Sequence, residues 1–595
     1  MKLLLLPIFT ALSLANVPSD DVLLRAMRDE MQRSAQSLHL DRYKNPYFIS
    51  YKVKQDELYA VSASFGAVNS RAKTVKRSLS VDVRQGDYEL DSSNASSSGS
   101  LLSMLGGGGG VGALTTDNNY DALRHELWLR TDSAYKKAVE DLASKKAFLK
   151  DNVTKDVPAS LSKEEPVVAL DAPVHLEVDQ NKIDDIVRRL SAVFRNYPEI
   201  EKSFVGFREQ ADTKWMINSE GFLNRHGKIE CELVVLASAR AKDKALVSDS
   251  EVFCVERDSD LPSYSDMEKK VEALAKRVIL ASKAEKLEQY IGPVLFQDEA
   301  AAAFFAGTLQ NNLGHAPESL DKRNPFTMLS KNPLADKLGT RIMPAFISAY
   351  DDPQSRKFGK AKILSSYLVD DDGVKGQKVT LVDKGYLKAF AMSRVPSHDI
   401  KQSNGHARGN SGVVSNLYIV SDRKLADAKL KARLIELGKA EGLKDVIVVR
   451  KISNMMTGLV EADSIISSVI SMFCGGGEIT LSSPCEIYKV SVATGKEEPV
   501  RGAQFGNLSL RILRDIDATG STTRAYPMVL GGNIKQLMSS SDLSTIVTPS
   551  VLVKEVEFRK PMEQAGLPPI LKNPYFEEAL RTGEASGNSE ASLEK

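Results

Sequence analysis

Few residues in this chain carry the side chains that catalysis or metal binding needs. Seven histidines, at positions 39, 125, 175, 226, 315, 398 and 406, and four cysteines, at 231, 254, 474 and 485, are all the imidazoles and thiols in 595 residues. A hydrolytic zinc centre needs imidazoles on one helix face and a carboxylate to activate water. The sole His-Glu pair, His125-Glu126 in RHELWLRTD, has Arg130 where a second imidazole would fall, and reads as a pair on a helix surface. His398 and His406 share the polar loop PSHDIKQSNGHARGNSG with Asp399 between them. Two imidazoles and a carboxylate are a possible zinc set, although the same stretch also describes a solvated loop. Cys474 precedes three glycines in MFCGGGEIT, with no local His or helix start to activate it, so a tight turn is expected there. A Gly-x-Ser-x-Gly nucleophile turn is absent.

The elements that would position these groups can be read from periodicity. VLLRAMRDEMQRSAQSLHL, from Val22, spaces apolar residues as a helix does, and the stretch from Tyr47 to Leu90 alternates as a meander of strands does. A Ser- and Gly-rich insertion over about 91–118 includes Gly106 to Gly110; no Lys-Ser/Thr follows, so it reads as a surface insertion, not a phosphate cradle. Helices are predicted from Tyr120 to about Leu149 and from Lys182 to Phe194. A hairpin turns at Asn218-Ser219-Glu220-Gly221, and a capping box at Ser265-x-x-Glu268 opens a further helix to about Lys286. This makes residues 16–288 a mixed α/β unit of the α+β class. From 289 to 560, short alternating strands predominate, with helices only at Ala300–Leu309 and Ala426–Ala440, which predicts a mainly antiparallel, barrel- or sandwich-like domain. Residues 561–595 form a polar tail.

Residues 1–15 have the pattern of a secretory signal: Lys2, an apolar run from Leu3 to Leu14, and Ser13-Leu14-Ala15 as the cleavage site. A periplasmic or secreted protein is expected, with no membrane span, since no later run reaches about 18 apolar residues. Lysines and arginines number 79 against 78 acidic residues, for a net charge of +1, which leaves no footprint for nucleic acid. In an oxidising compartment the cysteines fall into two local pairs, Cys231/Cys254 and Cys474/Cys485. A hairpin turning near Lys242-Asp243 would set the first pair opposite one another; four buried thiols are the alternative.

Five segments taken in order resemble the C-terminal domain of the TldD/PmbA family: GPVLFQDEAAAAFF from Gly292, DDDGVKGQKVTLVDKGYLKAFAMSR from Asp370, SGVVSNLYI from Ser411, GGGEIT from Gly475 and EPVRGAQFGNLSLRILRDI from Glu498. The resemblance implies a two-domain subunit that dimerises around a chamber and acts on unfolded peptides. Active members carry His-Glu-x-x-x-His on the helix after the Gly-Pro-Val segment, and a later Cys completes the zinc site. Those positions here are Ala306, Gly307 and Asn311, and no Cys follows Cys485. The expectation is therefore a non-catalytic, cofactor-free member, either a homodimer or a heterodimer with a TldD-like zinc-bearing relative. Unfolded peptide is expected to add to an exposed strand edge at Ser415, Asn416, Leu417, Tyr418 and Ile419. Two alternatives remain: an active zinc peptidase with ligands displaced to His398, Asp399 and His406, and a stand-alone peptide-binding or chaperone-like protein.

Overall fold

The computed structural model describes residues 18, 20–95, 111–152, 157–317, 332–409, 411–453, 481–506, 508–529, 543–560 and 569–577. The expected signal segment, Gly106–Gly110, Cys474 with the GGGEIT motif, and most of the polar tail lie outside them. The fold is α+β, with two mostly antiparallel sheets.

The N-terminal sheet is built from long hairpins. Strand β1 (Phe48–Ser64) pairs with β2 (Ala67–Arg84), whose far edge pairs at Ser78–Ser80 with β3 (Val111–Ala113). On its other side β1 pairs with β5 (Ile200–Asn218), followed by β6 (Leu223–Arg240), which pairs with β7 (Leu246–Val255) and β4 (Val168–Leu170). The Asn218–Gly221 turn forms as predicted, with Asn218 Oδ1 accepting from the backbone N–H of Glu220 and Phe222. The region from Tyr47 to Leu90 holds one long hairpin, not a meander, because β1 and β2 run 17 and 18 residues and turn only at Phe65-Gly66.

Period-two alternation gives this sheet two unlike faces. Tyr51, Val53, Tyr59, Val61, Phe207, Trp215 and Leu233 point to one face and are buried under four helices. Helices α1 (Val22–Ser37) and α2 (Tyr120–Asp151) cover one half, and α3 (Gln180–Ala192) and α4 (Tyr264–Lys283) the other. Each such side chain contributes about 1.5–3 kcal/mol by leaving water. Helix α4 starts two residues earlier than the predicted capping box, because Ser263, not Ser265, accepts from the Asp266 N–H.

Sheet membership changes after α4. Strands β8 (Glu285–Lys286) and β9 (Tyr290–Phe296) belong to a thirteen-stranded C-terminal sheet. It continues through β10 (Ile347–Asp351), β13 (Val379–Asp383), β14 (Tyr386–Leu387), β17 (Asn416–Ser421), β18 (Lys424–Leu425), β19 (Asp445–Ile452), β20 (Pro484–Ser491), β21 (Glu497–Arg501), β22 (Gln504–Phe505), β23 (Ile516–Val529) and β24 (Leu543–Arg559). Two short ladders, β11 (Lys357–Phe358) with β12 (Ala361–Lys362) and β15 (Ala407–Arg408) with β16 (Ser411–Gly412), stand apart from it. The backbone of the sheet runs β14-β13-β10-β17-β24-β9-β19-β20-β21-β8. Helix α5 (Asp298–Thr308) packs on one face, and α6 (Asp427–Ala440) belongs to a second core with Val446, Val448 and Leu552.

Of the two alternatives for Cys231 and Cys254, a disulfide or free thiols, the structure has free thiols. The β6–β7 loop spans five residues, Ala241–Ala245, so Cys231 faces Val255 and Cys254 faces Glu232. A one-residue offset puts the two thiols on opposite faces of the sheet. Cys231 lies in the core and Cys254 on the polar face, where burial pushes its thiol up to about 12.

Candidate functional site

Helix α5 is where a zinc motif of this type would sit. It follows β9, which runs parallel to β19, and begins with Asp298 at φ +47°, a left-handed conformation uncommon for a non-glycine residue. Asp298 and Glu299 lie at the positive end of the helix dipole, Asp298 pairing with Arg524 and Glu299 facing Lys451 at 3.7 Å. Ala300, Ala301, Ala302, Phe304 and Phe305 are fully buried. Ala303, Ala306 and Gly307 are less buried. The α-helix ends at Thr308, whose hydroxyl donates to the Phe304 carbonyl, and Asn311 falls in a following 3₁₀ turn. Ala306 and Gly307 have no side-chain donor atom, and Asn311 is exposed beyond the helix end. A His-Glu-x-x-x-His zinc site needs two imidazoles and a carboxylate there, so these residues do not fit the metal.

The displaced alternative also fails to assemble. His398 and Asp399 are exposed, whereas His406 is fully buried with Nε2 2.9 Å from Asp351 Oδ2. Its Nδ1 faces two acceptors, the backbone O and side-chain Oδ1 of Asn404, at 2.9 and 2.8 Å, so that nitrogen carries a proton. Asp351 also accepts from the backbone N–H of Ser415 and Asn416, which makes His406 and Asp351 a clasp between loops, not a ligand pair. Among the described residues no three His, Cys, Asp or Glu side chains are grouped to hold a metal ion.

The proposed peptide edge is likewise corrected. Strand β17 is interior, antiparallel to β10 on one side and parallel to β24 on the other. Ser415, Asn416, Leu417, Tyr418 and Ile419 are all buried, so their backbone groups are already paired or enclosed and no peptide strand can add there. The apolar run Leu417-Tyr418-Ile419-Val420 is the pattern of an enclosed strand, and β24 covers its second side.

Sequence reasoning missed a charged wall on the second face of the N-terminal sheet. Lys52, Lys54 and Asp56 of β1 stand beside Gln210, Asp212 and Lys214 of β5, with Asp56 directly opposite Asp212. Lys54 Nζ reaches Asp56 at 2.5 Å and Asp212 at 3.0 Å, and Gln210 Nε2 donates to both carboxylates. Burial, then the hydrogen bond with Asp56, pushes Asp212 up to about 6; in Asp56 burial is outweighed by hydrogen bonds with Asp212 and Lys54, and its acidity is increased. The pair therefore holds one proton between them in mildly acidic solution. Further along, burial and Lys214 push His226 down to about 4, leaving it neutral. Every second residue of KVKQDE and QADTK is polar, which is the signal that could have revealed the wall.

The DDDG motif joins this wall to the C-terminal domain. Asp371 and Asp372 reach Lys214 and Lys52 at 3.2 and 3.4 Å. Lys214, Arg408 and Lys52 overcome the effect of burial and hold Asp371 well below the usual carboxylate range. Arg394, from the end of the same motif, is 2% exposed; it pairs with Glu220 at 2.5 Å and donates to the Ser162 carbonyl from Nε at 3.0 Å.

This fold of two mostly antiparallel sheets has counterparts among known proteins. Solved structures share it: TldE from Thermococcus kodakarensis, at 14% identity over 90% of this chain and 100% of that one, with a TM-score of 0.52. A candidate modulator of a DNA gyrase from Thermotoga maritima aligns at 15% identity over 90% and 99%, with a TM-score of 0.53. At such identities the likeness is one of fold. Metalloprotease MJ0996 of Methanocaldococcus jannaschii is 29% identical over 133 residues, 21% of this chain and 26% of that protein's length. Residues 289–560 match the profile of the PmbA/TldA metallopeptidase C-terminal domain, which places this C-terminal domain in the TldD/PmbA family.

Proposed function

We propose that this chain is a non-catalytic, secreted or periplasmic member of its family that binds unstructured peptides and works paired with a zinc-bearing relative. The observation that carries this reading is the pairing of Ala306, Gly307 and Asn311 with a helix that ends at Thr308: the framework around the motif is kept and its ligands and base are replaced. The occurrence of a TldE among the proteins sharing the fold supports a partnered role. With β17 enclosed, peptide contact falls to the charged wall of Lys54, Asp56, Gln210 and Asp212, whose partly exposed donors and acceptors suit varied sequences.

Co-expression with a His-Glu-x-x-x-His relative tests the proposal. The chain alone is expected to hold far less than one zinc per molecule and to cleave no unfolded peptide, while the mixed complex co-purifies and cleaves. Chelator-resistant cleavage by the chain alone, or failure to bind any such relative, overturns it. Restoring the motif as Ala306→His, Gly307→Glu and Asn311→His is expected to give weak zinc binding and little activity, because Asn311 lies past the α-helix.

A further inference from the structure

The tip of the β1–β2 hairpin is built from an unusual residue. Phe65 and Gly66 have φ of +50° and +84°, a turn in which Asn-Gly or Gly-Gly is the ordinary choice. A bulky aromatic held in the left-handed region marks a position with a use beyond turning the chain. Arg195, in the 3₁₀ turn after α3, lies over this ring with Cζ 5.7 Å from its centroid, and its Nε donates to the Phe65 carbonyl at 3.1 Å. Gly66 permits that approach, since a Cβ there would meet Arg195 Nη2 at 2.5 Å.

The C-terminal segment returns to this tip. Tyr575 and Phe576 meet the Phe65 ring edge-on at 5.2 and 6.1 Å, and each other at 5.2 Å. Arg195 also covers Tyr575, at 5.9 Å. Asn573 shapes the approach: its Oδ1 accepts from the Tyr575 N–H and its carbonyl from the Phe576 N–H. Edge-to-face ring contacts and an arginine over an aromatic face are each favourable beyond simple burial.

The docking segment, Lys572-Asn573-Pro574-Tyr575-Phe576, repeats the pentapeptide Lys44-Asn45-Pro46-Tyr47-Phe48. In the first copy Tyr47 donates to Asp91 and meets Tyr88 edge-on at 5.0 Å, while Arg84 and Arg394 each lie 5.5 Å from the Phe48 ring. Both copies thus set an aromatic pair against arginine. The first is sealed into the fold; the second leaves Tyr575 44% exposed and so can leave its seat.

We propose that Phe65 and Arg195 form a docking site for the Lys-Asn-Pro-Tyr-Phe segment of the same chain, a releasable latch that ties the end of the C-terminal domain to the N-terminal sheet. The chain leaves the C-terminal sheet at Arg559 and reaches the hairpin tip by Asn573, so the latch spans both halves of the subunit. Tethering gives the segment an effective concentration on the order of millimolar, so a weak site suffices to hold it.

The test uses the full-length protein and a fluorescent peptide, LKNPYFEEA. The parent, its site filled, is expected to bind the peptide at least tenfold more weakly than the Tyr575→Ala/Phe576→Ala variant, whose site is vacated. Adding Phe65→Asn, a residue suited to the turn and therefore kind to the hairpin, is expected to abolish that binding, and Arg195→Ala to weaken it. Phe65→Asn alone should speed proteolytic trimming of the C-terminus at least tenfold, with the melting temperature of the body unchanged. Equal peptide binding by parent and vacated variant, or binding that survives Phe65→Asn, overturns the proposal. A concentration-dependent dimer that Phe65→Asn dissociates also overturns it, by placing the segment on a second copy.

Discussion

The two sheets of this chain differ in chemistry while staying joined in structure. Around α5 the C-terminal sheet is packed with apolar side chains, and the helix presents Ala306 and Gly307, with Asn311 just past its end. The N-terminal sheet buries one face under four helices and gathers on the other Lys54, Asp56, Asp212 and Lys214, charged groups only 18–29% exposed. Packing constrains a core tightly and a wet face loosely, so ligands can be lost from a helix without losing the helix. The contrast teaches that keeping a framework and keeping a reaction are separate matters.

Cutting the seam should have the largest effect. Arg394→Ala leaves Glu220 facing an uncompensated site and is expected to cost about 3–5 kcal/mol in urea unfolding. A loss below about 1 kcal/mol would show that the two halves are stable independently. Next, Phe304→Ala removes a fully buried ring from α5 and should cost about 3–4 kcal/mol, testing whether that helix still serves as core.

The charged wall predicts a smaller, pH-dependent effect. Asp212 has its folded pKa raised to about 6, so between about pH 4 and 6 the folded chain holds a proton that the unfolded chain releases. Its contribution to stability is therefore intact below about pH 4 and lost as pH rises toward 6. The Asp212→Asn variant should gain on the parent across that window, by about 3 kcal/mol at most, in thermal melts at stepped pH. An advantage constant with pH would remove the shared proton from the account. Smallest of all, oxidation should join Cys231 to Cys254 in none of the native molecules, as read by peptide mapping without reductant; a native crosslink would contradict the one-residue offset.

Elements set by local pattern are legible in the sequence. The spacing predicts α5 at Ala300–Leu309, and it lies at Asp298–Thr308; α6 and the Asn218 turn fall where their residues indicate. Features that depend on distant partners are not legible. Whether Asn416–Ser421 is an edge is decided by residues 545–547, more than a hundred positions away. The facing of Cys231 is decided by whether the next loop holds an odd or even number of residues. The charged wall is visible as alternation in two separate stretches, but their apposition requires the register of Asp56 with Asp212.

The position of β24 bears on how the protein is made. This strand, the last of the chain's strands to be described, pairs with β17, β9, β22 and β23 in the middle of the C-terminal sheet. A ribosome would release the whole N-terminal sheet, and β9, β10, β17 and β19 as well, before the residues that join them exist. Until then those apolar strands wait with open edges, in a topology dominated by contacts far apart in sequence, which is slow to form and prone to aggregate. Synthesis that stops short of Leu543 should therefore leave a folded N-terminal half tethered to an insoluble remainder, so that quality control of this protein hinges on β24.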